Sequence, residues 1–176
     1  MSYFKFKLPA LATVAMLTCG ILVANEGVTG PNTVTTKAPH CEVPCGIYDD
    51  QVRFVQMLED TKTIAKAITG INEFTSNLEG PPTPKGINQT MRWVTAKENH
   101  ATNVQHIAAQ YFLTQRIKPD NERYMDQLKA AHAVMVAAMK CKQDADAATA
   151  ETLQKAIYDL YRAYEGKEPD FHTHED

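Results

Sequence analysis

Asp49-Asp50-Gln51-Val52-Arg53-Phe54-Val55-Gln56-Met57-Leu58-Glu59-Asp60-Thr61-Lys62-Thr63-Ile64-Ala65-Lys66-Ala67-Ile68 sets the pattern that decides the fold. Val52, Val55, Leu58, Ala65 and Ile68 fall roughly on one face of a helix. Asp49 or Asp50 can cap its start with a carboxylate. Gly70 predicts a break, with a short helix over 71–78 beyond it.

Downstream the same period returns. Gly80-Pro81-Pro82-Thr83-Pro84-Lys85-Gly86 predicts a firm loop. A second helix is expected over 88–115, with Val94, Ala101, Val104, Ile107, Ala108, Tyr111 and Phe112 on its apolar side. Lys118-Pro119-Asp120 is a turn. A third helix opens at Asp120 or Asn121 and runs through Met125, Leu128, Ala131, Val134 and Ala138 to about Cys141. Asp144 to Asp146 re-caps the chain for a fourth helix through Leu153, Ile157, Leu160 and Tyr164, ending at Gly166. Residues 167–176 are polar and read as a frayed tail. Helical propensity is high and β-branched runs are absent. Four amphipathic helices on short connections predict an all-α, antiparallel up-and-down four-helix bundle.

Residues 1–39 read differently. Lys5 and Lys7 precede an apolar run over 8–24, interrupted by Pro9, Thr13, Thr18, Cys19 and Gly20. This is the pattern of an export signal, too broken to span a bilayer comfortably. Residues 25–39 carry Thr, Gly and Pro and read as extended. The expected organisation is a leader or pro-segment over 1–39, removed in maturation, and one domain over 40–176. A chain of that length suits one modest core. The leader carries three lysines and Glu26, so its removal takes the formal charge from −3 to −5. A mildly acidic chain without a basic stripe gives no sign of nucleic acid as a partner.

At the leader's end stands His40-Cys41-Glu42-Val43-Pro44-Cys45-Gly46-Ile47-Tyr48-Asp49. An imidazole and two thiols lie within six residues, and a cut before His40 would add a free α-amine. Such a donor set suits a late transition metal. There is no second Cys pair or nearby His pair to close a zinc site. A Cys41–Cys45 disulfide is the chemical rival to metal binding. Cys141, inside the third helix, reads as a small buried hydrophobe.

The run His40-Cys41, Pro44-Cys45-Gly46, Tyr48-Asp49 resembles the N-terminal hook of the nickel-containing superoxide dismutase family, with Glu42 and Val43 as conservative variants. The helical remainder is similar more diffusely. The resemblance implies one nickel ion per subunit held by His40, Cys41 and Cys45. The α-amine, the Cys41 amide nitrogen and both sulfurs would lie in a plane, with the His40 imidazole axial and Val43–Pro44 cis. It implies disproportionation of superoxide to dioxygen and hydrogen peroxide, with His40, Cys41, Cys45 and Tyr48 catalytic. It also implies a homohexamer and a maturation protease that cuts between Pro39 and His40. Gly46 would permit close backbone approach, and the Tyr48 hydroxyl would order a water or the incoming anion.

More distant support is expected from Arg92, Lys97 and Glu98, in a stretch resembling a family helix, and from Tyr111, which matches a family tyrosine near the site. Arg92 or Lys97 would steer or hold the anion. Two positions depart from the family pattern. Its first-helix glutamate, which buttresses the ligand histidine, falls here at Gln56, or at Val55 with a one-residue gap. Its second-helix arginine has His100 as nearest counterpart. His106 and His132 read as surface or core-edge residues, and His172 and His174 as a loose tail pair. Asn88-Gln89-Thr90 is a glycosylation triplet of a kind common by chance.

Two other functions fit the residues: a nickel- or copper-binding helical carrier without catalysis, and an exported helical interaction protein with a Cys41–Cys45 disulfide. The leader favours export to the periplasm or the cell exterior. The alternative is a cytoplasmic protein whose leader serves maturation alone.

Overall fold

Asp49 fixes the start of the first helix. Its backbone is extended, and its carboxylate accepts from the Gln51 and Val52 amides at 2.7 and 3.4 Å. The computed structural model describes residues 46–77 and 80–171. Within them α1 spans Asp50–Ser76, α2 Pro84–His106, α3 Tyr124–Gln143 and α4 Ala147–Glu165. A π-helical segment, Ile107–Arg116, continues α2 without a break. The described residues contain no strand, so the expected all-α architecture is observed. No helix among them is long and apolar enough to cross a membrane.

Side-chain contacts set the helix directions. Along α1 and α2, Asp60 meets His100, Gly70 meets Trp93 and Gly86 meets Phe74, so the two run antiparallel. Lys97 reaches Cys141 and Gln105 reaches Met135, reversing α3 against α2. Gln127 reaches Ala163, which reverses α4 against α3. Gln51 reaches Glu165 and Asn72 reaches Ala145, closing the ring with α4 against α1. This is the up-and-down bundle that four short-linked amphipathic helices predict.

The buried face of α1 is rotated from the expected one. Phe54, Met57, Leu58, Ile64, Ala67 and Ile68 point inward. Val52 is 50 % exposed, and Val55 and Ala65 also face outward. Phe54 explains the shift. It packs against Phe112 at 4.6 Å and Tyr161 at 5.0 Å between ring centroids, and one ring at the centre outweighs two valines.

Two of the glycines read as punctuation, Gly70 and Gly86, lie inside helices. At Gly70 an added Cβ would sit 2.5 Å from the Trp93 indole nitrogen, and at Gly86 it would sit 2.1 Å from the Phe74 ring. They are close-packing positions, so α1 passes straight through Gly70. Likewise α2 starts at Pro84, with Thr83 capping the Gly86 amide at 3.1 Å. The third helix starts later than expected, because Asn121 turns the chain by accepting from the Arg123 amide at 2.8 Å. Met125 is exposed there. The fourth helix ends at Gly166, in the left-handed region at φ 73°, as expected. The tail is not all frayed. Glu168 accepts from Arg162 at 2.8 Å, and the Phe171 ring packs on Tyr161 at 4.7 Å. Cys141 is fully buried, in line with its reading as a core residue.

The Gly70–Trp93 contact is testable. Gly70→Ala gains up to about 1 kcal/mol of helix propensity. The clash should cost about 1–3 kcal/mol, so the variant should be less stable overall. Removing the indole as well, in Gly70→Ala/Trp93→Leu, should recover most of that loss. A urea-unfolding cycle over the four proteins measures it, and additive effects would show that the contact is not restrictive.

Candidate functional site

The chain enters the bundle through Gly46, whose φ of 75° lies where side chains are strained. Tyr48 follows, with its side chain partly in solvent, and Asp49 then caps α1. The Tyr48 ring meets Tyr111 edge-on at 6.4 Å, and the Tyr111 hydroxyl donates to the Tyr48 carbonyl at 3.0 Å. On the Tyr48 ring itself the Arg53 guanidinium stacks at 4.6 Å.

Asp50 gathers the rest. One carboxylate oxygen accepts from Tyr111 at 2.5 Å. The other accepts from Arg116 at 2.5 Å and from Tyr164 at 2.8 Å. The Arg116 Nε also reaches the Tyr164 hydroxyl at 3.3 Å. These donors come from two elements, the π-helical segment and α4, and all converge on the first turn of α1.

The π winding makes this convergence possible. Tyr111 and Arg116 are five residues apart, which in an α-helix turns them about 140° from one another. With i→i+5 bonding, as from the Ile117 amide to the Phe112 carbonyl at 2.9 Å, residues five apart stand over each other. Both side chains then face Asp50.

The network shifts its members' protonation. Burial alone would raise the Asp50 carboxyl, but the hydrogen bonds from Arg116, Tyr111 and Tyr164 outweigh it, and its pKa lies below the ordinary value. Burial, and then the bond to Asp50, raises the Tyr111 phenol well above the ordinary tyrosine range. Tyr164 is pushed up to about 12, by burial first and then by Asp50. The bond to Asp50 holds Arg116 more firmly charged. At neutral pH the cluster is a carboxylate, a guanidinium and two neutral phenols.

Of the residues singled out from sequence, Tyr48 and Tyr111 come together. His40, Cys41 and Cys45 lie outside the described residues. Arg92, Lys97 and Glu98 form a separate group. Arg92 is exposed on α2. Lys97 is 4 % exposed, donating to the Cys141 and Lys142 carbonyls at 2.5 and 2.8 Å and to Glu98 at 3.1 Å. This buried ammonium caps the end of α3. Gln56 is half-buried. His100 Nδ1 meets Asp60 at 2.6 Å, and Asn103 donates to the other Asp60 oxygen at 2.6 Å. Asp60 is ten residues along α1 from Asp50, about 15 Å. The sequence reading did not single out Arg53, Arg116 and Tyr164 as site residues, and took Asp50 only as a cap. Their convergence depends on the π segment and on the α1–α4 register, and neither leaves a spacing motif.

Among the described residues no cluster of three or more His, Cys, Asp or Glu side chains is arranged to hold a metal. The class is an all-α four-helix bundle whose first helix is preceded in the sequence by the His40–Cys45 run. Residues 34–168 match the family model for nickel-containing superoxide dismutase, and the chain belongs to that family. No curated protein and no solved structure matches it.

Replacing Asp50 should expose its role. Asp50→Asn leaves Arg116 without its ion partner and should cost about 1–3 kcal/mol at neutral pH. Because the native Asp50 pKa is lowered, its contribution is full above the unfolded value near 4. It is lost as pH falls through the lowered native value. The stability gap between wild type and variant should therefore close in that acid window. Urea midpoints taken from pH 7 down to pH 2 would follow it, and parallel curves would show that Asp50 carries no such linkage.

Proposed function

We propose that this chain is an exported nickel superoxide dismutase, matured by removal of residues 1–39 and working as a homohexamer of 40–176. The observation that carries the reading is the family match over residues that include the whole His40–Asp49 run. The donor chemistry supports it. Two thiolates, an amine and an imidazole suit a late first-row metal, and thiolate charge favours the higher oxidation state that a one-electron cycle needs. His40, Cys41 and Cys45 would hold one nickel ion per subunit. Bound there, nickel supplies the one-electron couple between two superoxide anions.

The chain's own residues divide the remaining tasks. Cleavage before His40 turns a peptide nitrogen into an amine that can act as a ligand. Tyr48 is a partly exposed residue three positions from Cys45, and its hydroxyl can order water or the incoming anion there. Tyr111 is committed to Asp50 and to the Tyr48 carbonyl. With its phenol pKa raised, it positions Tyr48 and does not release a proton at neutral pH. Two superoxide anions and two protons give dioxygen and hydrogen peroxide, and water ordered at Tyr48 is the available proton source.

Metal analysis and dismutase assay of protein beginning at His40 test the reading. Nickel near one equivalent with activity is expected, and a nickel-loaded but inactive protein would sink it. Retaining Pro39 should abolish both loading and activity. Cys41→Ser and Cys45→Ser should each lose the metal. His40→Gln should keep nickel and lose turnover, while Tyr48→Phe should lower kcat/KM only about two- to tenfold, the worth of one hydrogen bond. Fractionation of native cells, with sequencing of the mature N-terminus, tests export. Active enzyme confined to the cytosol would overturn that part.

A further inference from the structure

Among the described residues Arg53 is a cation without a counterion. Its guanidinium lies on the Tyr48 ring at 4.6 Å, and among the described residues it makes no ion pair. Its Nε is buried with no hydrogen-bond partner among the described residues. A buried N–H left unmatched costs about 1–3 kcal/mol, so its retention calls for a reason.

The neighbouring carboxylates are already engaged. Asp49 accepts from two amides at the start of α1, and Asp50 is held by Arg116, Tyr111 and Tyr164. Arg116 and Lys97 are cations too, but each has an acidic partner in place. Among the described residues Arg92 has none, yet it lies on α2 beyond His100, away from the Tyr48 end of the bundle.

We propose that Arg53 is the substrate-recruiting residue: its guanidinium, with the Tyr48 hydroxyl, binds the small monovalent anion arriving at the N-terminal donor run. The identity of that anion as superoxide rests on the dismutase reading above. Four observations bear on it. A guanidinium offers a fixed fork of donors to a small anion. Tyr48 is 42 % exposed, so the place is reachable from solvent. Tyr48 is three residue steps from Cys45, which holds their Cα atoms within about 11 Å whatever the conformation between them. The chain as a whole is acidic, so its field repels an anion and a local unpaired cation is needed to draw one in.

Two measurements test the proposal. In the first, sodium azide is titrated into the metal-free full-length chain while the Arg53 Nε–H and Tyr48 ring resonances are followed by NMR. Saturable shifts are expected in wild type and weaker ones in Arg53→Lys, with none at Tyr48 in Arg53→Gln. The second uses nickel-loaded protein beginning at His40. Arg53→Gln should lower kcat/KM about three- to tenfold at low salt, the low end of what focused charge contributes. The deficit should shrink at high salt, where screening removes the attraction, and Arg53→Lys should recover most of the rate. Unchanged metal content and melting temperature would separate this from misfolding. If wild type binds azide at Arg53 but shows no dismutase activity, the dismutase reading fails and the anion site stands. If azide leaves Arg53 unshifted, or Arg53→Gln keeps the wild-type rate and salt dependence, the Arg53 proposal is overturned and the dismutase reading is untouched.

Discussion

A single carboxylate, Asp50, accepting from Tyr111, Arg116 and Tyr164, ties together the three elements that meet at one end of the bundle. It is placed well for this. A negative side chain in the first turn of α1 is favoured by the helix dipole, and Arg116 sits where the π-helical segment ends, the terminus that favours a cation. Charge-assisted bonds of this kind are short and directional. They leave the first helix little freedom to slide against the helices on either side. Whatever precedes Asp50 in the chain inherits that fixed origin, beginning with Tyr48, whose carbonyl is held by the same Tyr111 hydroxyl.

Beneath the polar cluster lies an aromatic layer that carries it. Phe54 contacts Phe112, Tyr161, Tyr164 and Phe171, and Phe112 meets both Tyr111 and Tyr164 edge-on. The two tyrosines that donate to Asp50 thus have rings in the core and hydroxyls in the network. The apolar body of each fixes where its polar tip can go. Farther along the bundle the same logic appears with another residue. Lys97 threads its stem through the core and gives its ammonium to the last carbonyls of α3. Charge at helix ends therefore does the aligning, while the interior is left to hydrophobic packing.

How much of this could be read from the sequence depends on what kind of contact was involved. The four helices were legible because their apolar residues repeat at helical spacing, and Gly166 marked the end of α4 because only a left-handed cap uses glycine there. Gly70 and Gly86 misled because glycine has two meanings. It breaks helices in isolation, but it also lets an aromatic ring approach closely, and the ring responsible lies on another helix. The face of α1 was misjudged by weighting its valines over Phe54. Tyr48 and Tyr111 are singled out by resemblance to a family pattern, and the structure brings their rings together. Asp50 looked like an ordinary cap, and Arg53, Arg116 and Tyr164 like ordinary surface or core residues, since their partners are brought in only by π winding and helix register.

The contrast between Tyr111 and Tyr48 gives the site its logic. Tyr111 has its single hydroxyl proton engaged by the Asp50 carboxylate, with the Tyr48 carbonyl as a second, longer acceptor. Such a group is rigid and chemically quiet. Tyr48 is partly open to solvent, with a cation on its ring and, among the described residues, no carboxylate at its hydroxyl. A chain that handles a small, reactive anion needs both properties side by side. On the proposed reading a stiff base supports the start of α1, and one exposed polar group next to a positive charge unpaired among the described residues gives the anion somewhere to arrive. Had Arg53 been paired with Asp50, as Arg116 is, the same residues would have made a stronger anchor and a mouth without attraction for an anion. Among the described residues Asp50 goes to Arg116 and the tyrosines and Asp49 to the helix cap, so on the proposed reading the anchoring charges are separate from the recruiting one.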